Sequence, residues 1–232
     1  MNAIWKGIAT LAAVVMIGAP STARAADEEG QSKYANRLVE SKETFQDLMT
    51  SSDRSVPEPL LRKAKCVVVI PGMVKGALGF GARWGNGVMS CRGANGWSAP
   101  VFVDIKGGSW GLQIGAQKTD LVLFFMTEKG ARSLVNRSKF TLGGSASVAA
   151  GPLGRSGEAD TDLHLNAEIY SYAKSKGLFA GISLEGASLK VSTKANEAYY
   201  GPKVSPRGIL FASHEPEMKP EARDFIAVLP RY

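Results

Sequence analysis

The sequence predicts a mainly β fold with flanking helices, of the α+β class: a strongly twisted, glycine-rich antiparallel sheet, or a closed barrel or sandwich, with an N-terminal amphipathic helix and a short C-terminal helix. The first observation lies in residues 96–127. Val101, Val103 and Ile105 alternate with Phe102 and Asp104, Leu112 and Ile114 alternate with Gln113 and Gly115, and 121–126 is an unbroken apolar run. Alternation reads as strand, and six apolar residues are too few for a membrane span, so the third run is expected to be a central strand buried on both faces. The second observation is glycine: twelve in the 44 residues from Gly72 to Gly115. That density suits a sharply bent sheet or closely approaching backbones.

Taken in order, residues 1–25 read as an export signal. Lys6 gives a positive start, 8–17 are apolar, Pro20 breaks the run, and Ala23-Arg24-Ala25 presents small residues for cleavage. A retained anchor is the alternative. The chain is expected to be exported, and periplasmic, peripheral to the envelope membranes or secreted. Residues 26–33 read as a disordered leader, and 34–232 as one domain with its core in 62–201 and a tail in 202–232. Residues 34–49 predict an amphipathic helix with Leu38, Phe45, Leu48 and Met49 on one face. Pro57 or Pro59 then starts a basic turn carrying Arg62, Lys63 and Lys65.

Strands are expected from Cys66, and Asn86-Gly87 predicts a hairpin turn between strands at 77–83 and 88–92, because both residues tolerate positive φ. A short helix or turn follows at 128–136. Strands resume at 139–150, at 163–173 and from Gly177, where Leu178, Ala180, Ile182 and Leu184 alternate with Phe179, Gly181, Ser183 and Glu185. The tail from Pro220 reads as a helix stopped by Pro230.

Cys66 and Cys91 could lie on neighbouring strands, and in an oxidising compartment they are expected to pair; two buried free thiols are the alternative. Neither lies in a CxxC pair, and two cysteines with two distant histidines make no recognisable metal site. No metal and no cofactor are expected. Gly107-Gly108-Ser109-Trp110-Gly111 matches a nucleophile elbow, but the residues after it alternate like a strand where the elbow needs a helix. His164 or His214, with Asp160 or Asp162, completes no specified triad, so a serine hydrolase using Ser109 is the weakest reading and a non-catalytic role is expected. The paired glycines at 79–81 and 85–87 lack the rest of a phosphate-binding loop. Asn136-Arg137-Ser138 matches a glycosylation sequon by pattern alone. Trp84, Trp97 and Trp110 come with no nucleic-acid signature, and no nucleic-acid partner is expected.

The formal charge is +7, unevenly spread. Residues 26–61 carry four Lys/Arg against eight Asp/Glu, 62–207 carry nineteen against nine, and 208–232 carry three against four. A basic core between acidic arms favours an anionic partner.

Four stretches, AKCVVVIPGMVKGALGFGARWGNGVMSCR, GWSAPVFVDIKGGSWGLQIGAQKTDLVLFFMT, FTLGGSASVAAGPLGR and YSYAKSKGLFAGISLEGASL, followed by Ala195-Asn196 and Tyr199-Tyr200-Gly201, resemble the SYLF-domain family over about residues 38–201. The resemblance implies a phospholipid-binding module. Eukaryotic relatives bind phosphoinositides and other acidic lipids, and some bundle actin beside an SH3 or FYVE domain. Neither domain is read in this sequence, and the export signal leads away from the cytoskeleton, so actin is expected to be an unlikely partner. Eukaryotic lipid binding is associated with a basic helix at the start of the domain, whereas the helix here is acidic. The expected partners are acidic phospholipids or a membrane surface, with an envelope protein as the alternative. Candidate headgroup contacts are Arg62, Lys63, Lys65, Lys75, Arg83, Lys106, Lys118, Lys174 and Lys176, with Trp84, Trp110 and Phe179 at the acyl boundary.

Overall fold

Two packed cores, one on each face of a single curled sheet, organise the chain. The computed structural model describes residues 22–50, 56–78, 80–110, 115–137, 139–153, 166–202, 204–211 and 216–231; of 22–30, 77, 78, 80, 109, 110 and 115 it describes the backbone only. The expected export signal therefore lies largely outside the described residues.

Among the described residues the sheet has ten strands: β1 (Cys66–Leu78), β2 (Phe80–Gly93), β3 (Gly96–Trp97), β4 (Val101–Trp110), β5 (Gly115–Phe125), β6 (Phe140–Thr141), β7 (Val148–Ala150), β8 (Ile169–Ser175), β9 (Leu178–Gly181) and β10 (Ser188–Val191). Their spatial order is β6-β10-β4-β2-β1-β5-β8-β7, with β3 on β2 and β9 on β8. Among the described residues this order has two ends, so the sheet is open rather than a closed barrel. All pairs are antiparallel except β7 with β8. Helices α1 (Thr22–Met49), α2 (Glu58–Lys63), α4 (Thr193–Tyr200) and α6 (Pro220–Ala227) cover one face, and α3 (Glu128–Asn136) and α5 (Pro206–Phe211) the other. The apolar run of β5 is buried on both faces, as its composition predicts: Val122 and Phe124 point to the α1 side, Leu121, Leu123 and Phe125 to the α3 side.

Helix α1 presents Leu38, Ser41, Phe45 and Leu48 to the sheet, all fully buried, at the three- and four-residue spacing of one helical face. It begins at Thr22, and so takes in the 26–33 segment read as a disordered leader. Neither α4 nor α5 is anticipated by the sequence. Within α4, the buried Asn196 accepts from Phe102 N–H at 2.9 Å and donates to Phe102 C=O at 3.1 Å, standing in for a strand neighbour that β4 lacks there.

Two local expectations are corrected. Asn86-Gly87 is no turn: β2 runs straight through it, paired with Asp104 and Val103 of β4, and β1 ends at Leu78 where β2 begins at Phe80. The hairpin signal fails because glycine here answers a close approach of backbones. A side-chain carbon on Gly87 would lie 2.0 Å from Val69 O and 2.8 Å from Ile70 Cα. Residues 106–110 likewise prolong β4, making one strand where the alternation suggests a break; the run 112–114 lies outside the described residues.

The cause of the close approach is a bulge in β1. Pairing with β5 jumps from Ile70↔Leu121 to Met73↔Thr119, so Pro71 and Gly72 together oppose Asp120. Gly72 takes a φ of 53°, and its N–H donates to Asp120 Oδ1 at 2.8 Å. A proline inside a central strand is tolerated at such a bulge, which also sharpens the twist. Past it, the ends of β1, β2, β4 and β5 continue as a four-stranded extension beyond the main cores.

Cys66 and Cys91 face one another across β1 and β2, with Cα atoms 4.0 Å apart, and are joined as a disulfide. At a sequence separation of 25, replacing both by serine is expected to lower stability by about 3 kcal/mol, read as a lower urea midpoint at unchanged slope.

Three tyrosines donate part-buried hydrogen bonds: Tyr172 to Pro152 O (2.8 Å), Tyr199 to Glu221 Oε1 (2.8 Å) and Tyr200 to Pro100 O (2.6 Å). Burial raises all three phenol pKa values, and for Tyr199 the Glu221 carboxylate adds to the rise. In the unfolded chain they ionise near pH ~10. Above that pH the unfolded state loses protons that the folded state keeps, so stability is intact below about pH 10 and falls as pH rises further. Alkaline unfolding is expected to coincide with the appearance of phenolate absorbance.

Candidate functional site

The extension gathers a band of cations. One cross-strand row on the α1 face reads Lys118 (β5), Val74 (β1), Trp84 (β2), Lys106 (β4), each residue registered on the next. Three strand spacings make the row about 14 Å long. Both lysines are exposed, and Trp84 between them is 49% exposed. The adjacent row reads Gln117, Lys75, Arg83, Gly107 and, by the alternation of a pleated strand, turns to the opposite face. Lys75 and Arg83 are half-buried. The Arg83 guanidinium donates to Gly108 O (3.2 Å) and Ser183 O (3.5 Å), while its buried Nε has no partner among the described residues. Burial lowers its pKa, and it remains charged at neutral pH. Lys176 adds to the band's edge: it forms the β8–β9 turn with a φ of 49°, and Ser175 beside it donates to Lys118 O at 3.1 Å. Leu178, after the turn, is 71% exposed.

Other predicted contacts lie elsewhere. Arg62, Lys63 and Lys65 are at the opposite end of β1, where Lys65 N–H donates to Phe125 O, and ten residues of strand put Lys65 about 30 Å from Lys75. Arg62 pairs with Glu58 one helical turn away. Lys174 is held by Asp47 of α1 at 2.6 Å. Phe179 is corrected from surface to core. It is 4% exposed and stacks on Tyr172, with centroids 5.4 Å apart, because the strand presents Leu178, not Phe179, to solvent. Trp110 closes β4 opposite Phe80, placed by its backbone.

Sequence reasoning missed Lys33 and Arg37. One helical turn apart on α1, they line a cleft of about 820 Å³ against the base of the extension, with Glu40, Val74, Trp84 and Asn86. The i, i+4 spacing is the signal that could have found them. The Arg37 guanidinium lies 5.6 Å from the Tyr34 ring and 5.8 Å from Phe102; desolvation lowers its pKa, opposed by Asp104, Tyr34 and Glu40. Glu40 in its lining makes the cleft mixed in sign, unlike the band.

Among the described residues no side chains are arranged for nucleophilic catalysis. Ser109 lies within the β4 ladder opposite Gly81, not on a turn into a helix, while His164, His214, Asp160 and Asp162 fall outside the described residues, as does Ser138 of the sequon. No cluster of three or more metal-ligating side chains occurs among the described residues, and no described helix is long and apolar enough to cross a membrane.

A family model described as Ysc84, Las17-binding protein actin regulator, matches residues 106–232. The SH3 domain-containing YSC84-like protein 1 of Xenopus laevis is 39% identical over 150 residues, 64% of this chain and 44% of that protein. Protein YSC84 of Saccharomyces cerevisiae is 36% identical over 181 residues, 77% of this chain and 38% of the relative. LAS seventeen-binding protein 3 of the same species is 38% identical over 162 residues, 68% and 35%. The chain spans less than half the length of these relatives. The expectation that actin is an unlikely partner is overturned: the matching description is of actin regulation, and one yeast relative is named for binding Las17. That description is of a binding regulator and not of an enzyme class. By a match over more than half its length, the chain is a member of the Ysc84 (SYLF-domain) family.

Proposed function

We infer that this chain is a non-catalytic docking module that engages acidic phospholipid headgroups through the cation band of its β extension. The observation that carries the reading is the row Lys118–Val74–Trp84–Lys106, flanked by Lys75, Arg83 and Lys176. Each cation near an anionic surface contributes about 1 kcal/mol, so five acting together suffice for reversible docking. Trp84 brings an amphipathic ring to the level where headgroup meets acyl chain. On this reading the export signal delivers the module to the cell envelope, where such lipids line the membranes.

A second reading is favoured by the family match: an actin-linked acidic protein surface as the band's partner. Co-sedimentation separates the two. Salt-sensitive pelleting with liposomes containing phosphatidylglycerol or cardiolipin, and none with neutral liposomes, is the result expected of lipid docking. Pelleting with actin filaments alone would transfer the band to the second reading, and pelleting with neither would remove both.

A further inference from the structure

We propose that the extension does not lie flat on the lipid surface but enters it end-on, as far as its cation band. The inference rests on the docking reading above and adds how deep the module goes and which residues meet hydrocarbon.

Beyond the band, the charge stops. Between Lys75 and Arg83, and between Lys106 and Lys118, no residue is ionisable, and the described residues of these two segments belong to the ends of β1, β2, β4 and β5. The row next to the band on the α1 face is Ala116, Gly76, Ala82, Gly108, a neck of small residues. The register then carries the backbone to Leu78, Phe80 and Trp110, opposite one another at the far end of β1, β2 and β4. Cations on both faces, a slim uncharged neck and an apolar end follow one another along one direction. A flat-lying sheet would have no use for cations on both faces, since only one face could meet the lipid; an inserted prong uses both.

The dimensions agree. From the row of Val74 and Trp84 to the row of Leu78 and Phe80 is four residues, about 13 Å of strand. The headgroup layer of one leaflet is about 6 Å deep, so with the band at the phosphates the end reaches the upper acyl chains. Backbone pairing sets the same limit. The inner edges of the four strands are hydrogen-bonded to each other, but the outer edges of β4 and β5 have no strand partner past Lys106 and Asp120 among the described residues. Unpaired peptide groups are costly in hydrocarbon, which keeps the end of the extension from going deeper than the upper acyl chains.

The test uses the full chain. Cys66 and Cys91 are tied to each other, so a single introduced cysteine takes an environment-sensitive fluorophore. Leu78→Cys and Phe80→Cys report on the far end, Lys75→Cys on the band and Lys63→Cys on the opposite end of the sheet. Each is mixed with phosphatidylglycerol liposomes containing acyl-chain spin-labelled lipid. The expected result is a blue shift and quenching about threefold stronger at 78 and 80 than at 63, with position 75 quenched by headgroup spin label instead. Two far-end positions guard against one substitution disturbing the strand. Labels at 78 and 80 that stay water-like on pelleted protein would overturn end-on entry and leave surface docking standing. Failure of every labelled chain to pellet would overturn both.

Discussion

Gly87→Ala is expected to destabilise the protein by about 4 kcal/mol or more, a large part of the 5–15 kcal/mol typical of a domain. The added carbon would meet Val69 O at 2.0 Å and Ile70 Cα at 2.8 Å, inside any permitted contact. Backbone has no rotamer to yield, so relief requires β1 and β2 to separate where the Pro71-Gly72 bulge brings them together. Gly93→Ala, on the same strand, is the control: its new carbon would lie 3.7 Å from the nearest atom, an ordinary contact. Urea unfolding of the two variants should give a collapsed midpoint for the first and a shift below about 1 kcal/mol for the second. Equal shifts would show that the approach seen at Gly87 does not constrain the fold.

Reversing two charges in the band, Lys106→Glu with Lys118→Glu, is expected to weaken binding to anionic liposomes about a thousandfold at low salt. Each reversal removes roughly 1 kcal/mol of attraction and adds a similar repulsion, so two amount to about 4 kcal/mol. Both side chains are exposed and make no ion pair among the described residues, so folding should be indifferent. Lys63→Glu makes a comparable local change about 30 Å away and should cost less than about threefold, because charge beyond a Debye length is screened. Losses of similar size at both sites would mean that net charge, not the band, drives binding.

Much of this was legible in the residues. Period-2 alternation located β4, the apolar run located the core of β5, and the 3–4 spacing of Leu38, Phe45 and Leu48 located the buried face of α1. These signals survive because burial acts on each side chain through its own element's period. Cys66 and Cys91 were readable as neighbours because one opens a recognisable strand and the other lies near the close of the next. Where sequence misled, the deciding contact came from elsewhere in the chain. Asn86-Gly87 carries a local turn preference, overruled by ladder bonds to Asp104 and Val103 and by the bulge in β1. Phe179 and Leu178 both suit a strand; only Tyr172, waiting on one face, decides which is buried.

The candidate site divides the same way. The sequence by itself determined the basic character of the 62–207 segment, the uncharged stretches at 76–82 and 107–117, and the family. It could not say which lysines meet. Lys75, Arg83, Lys106 and Lys118 come from four strands, and their assembly into one band depends on register, which is set by long-range pairing and by one extra residue at Pro71-Gly72. Arg62, Lys63 and Lys65 looked equally eligible in sequence, and tertiary structure alone sent them to the other end. Composition is a property of the chain, whereas a surface is a property of strands brought side by side.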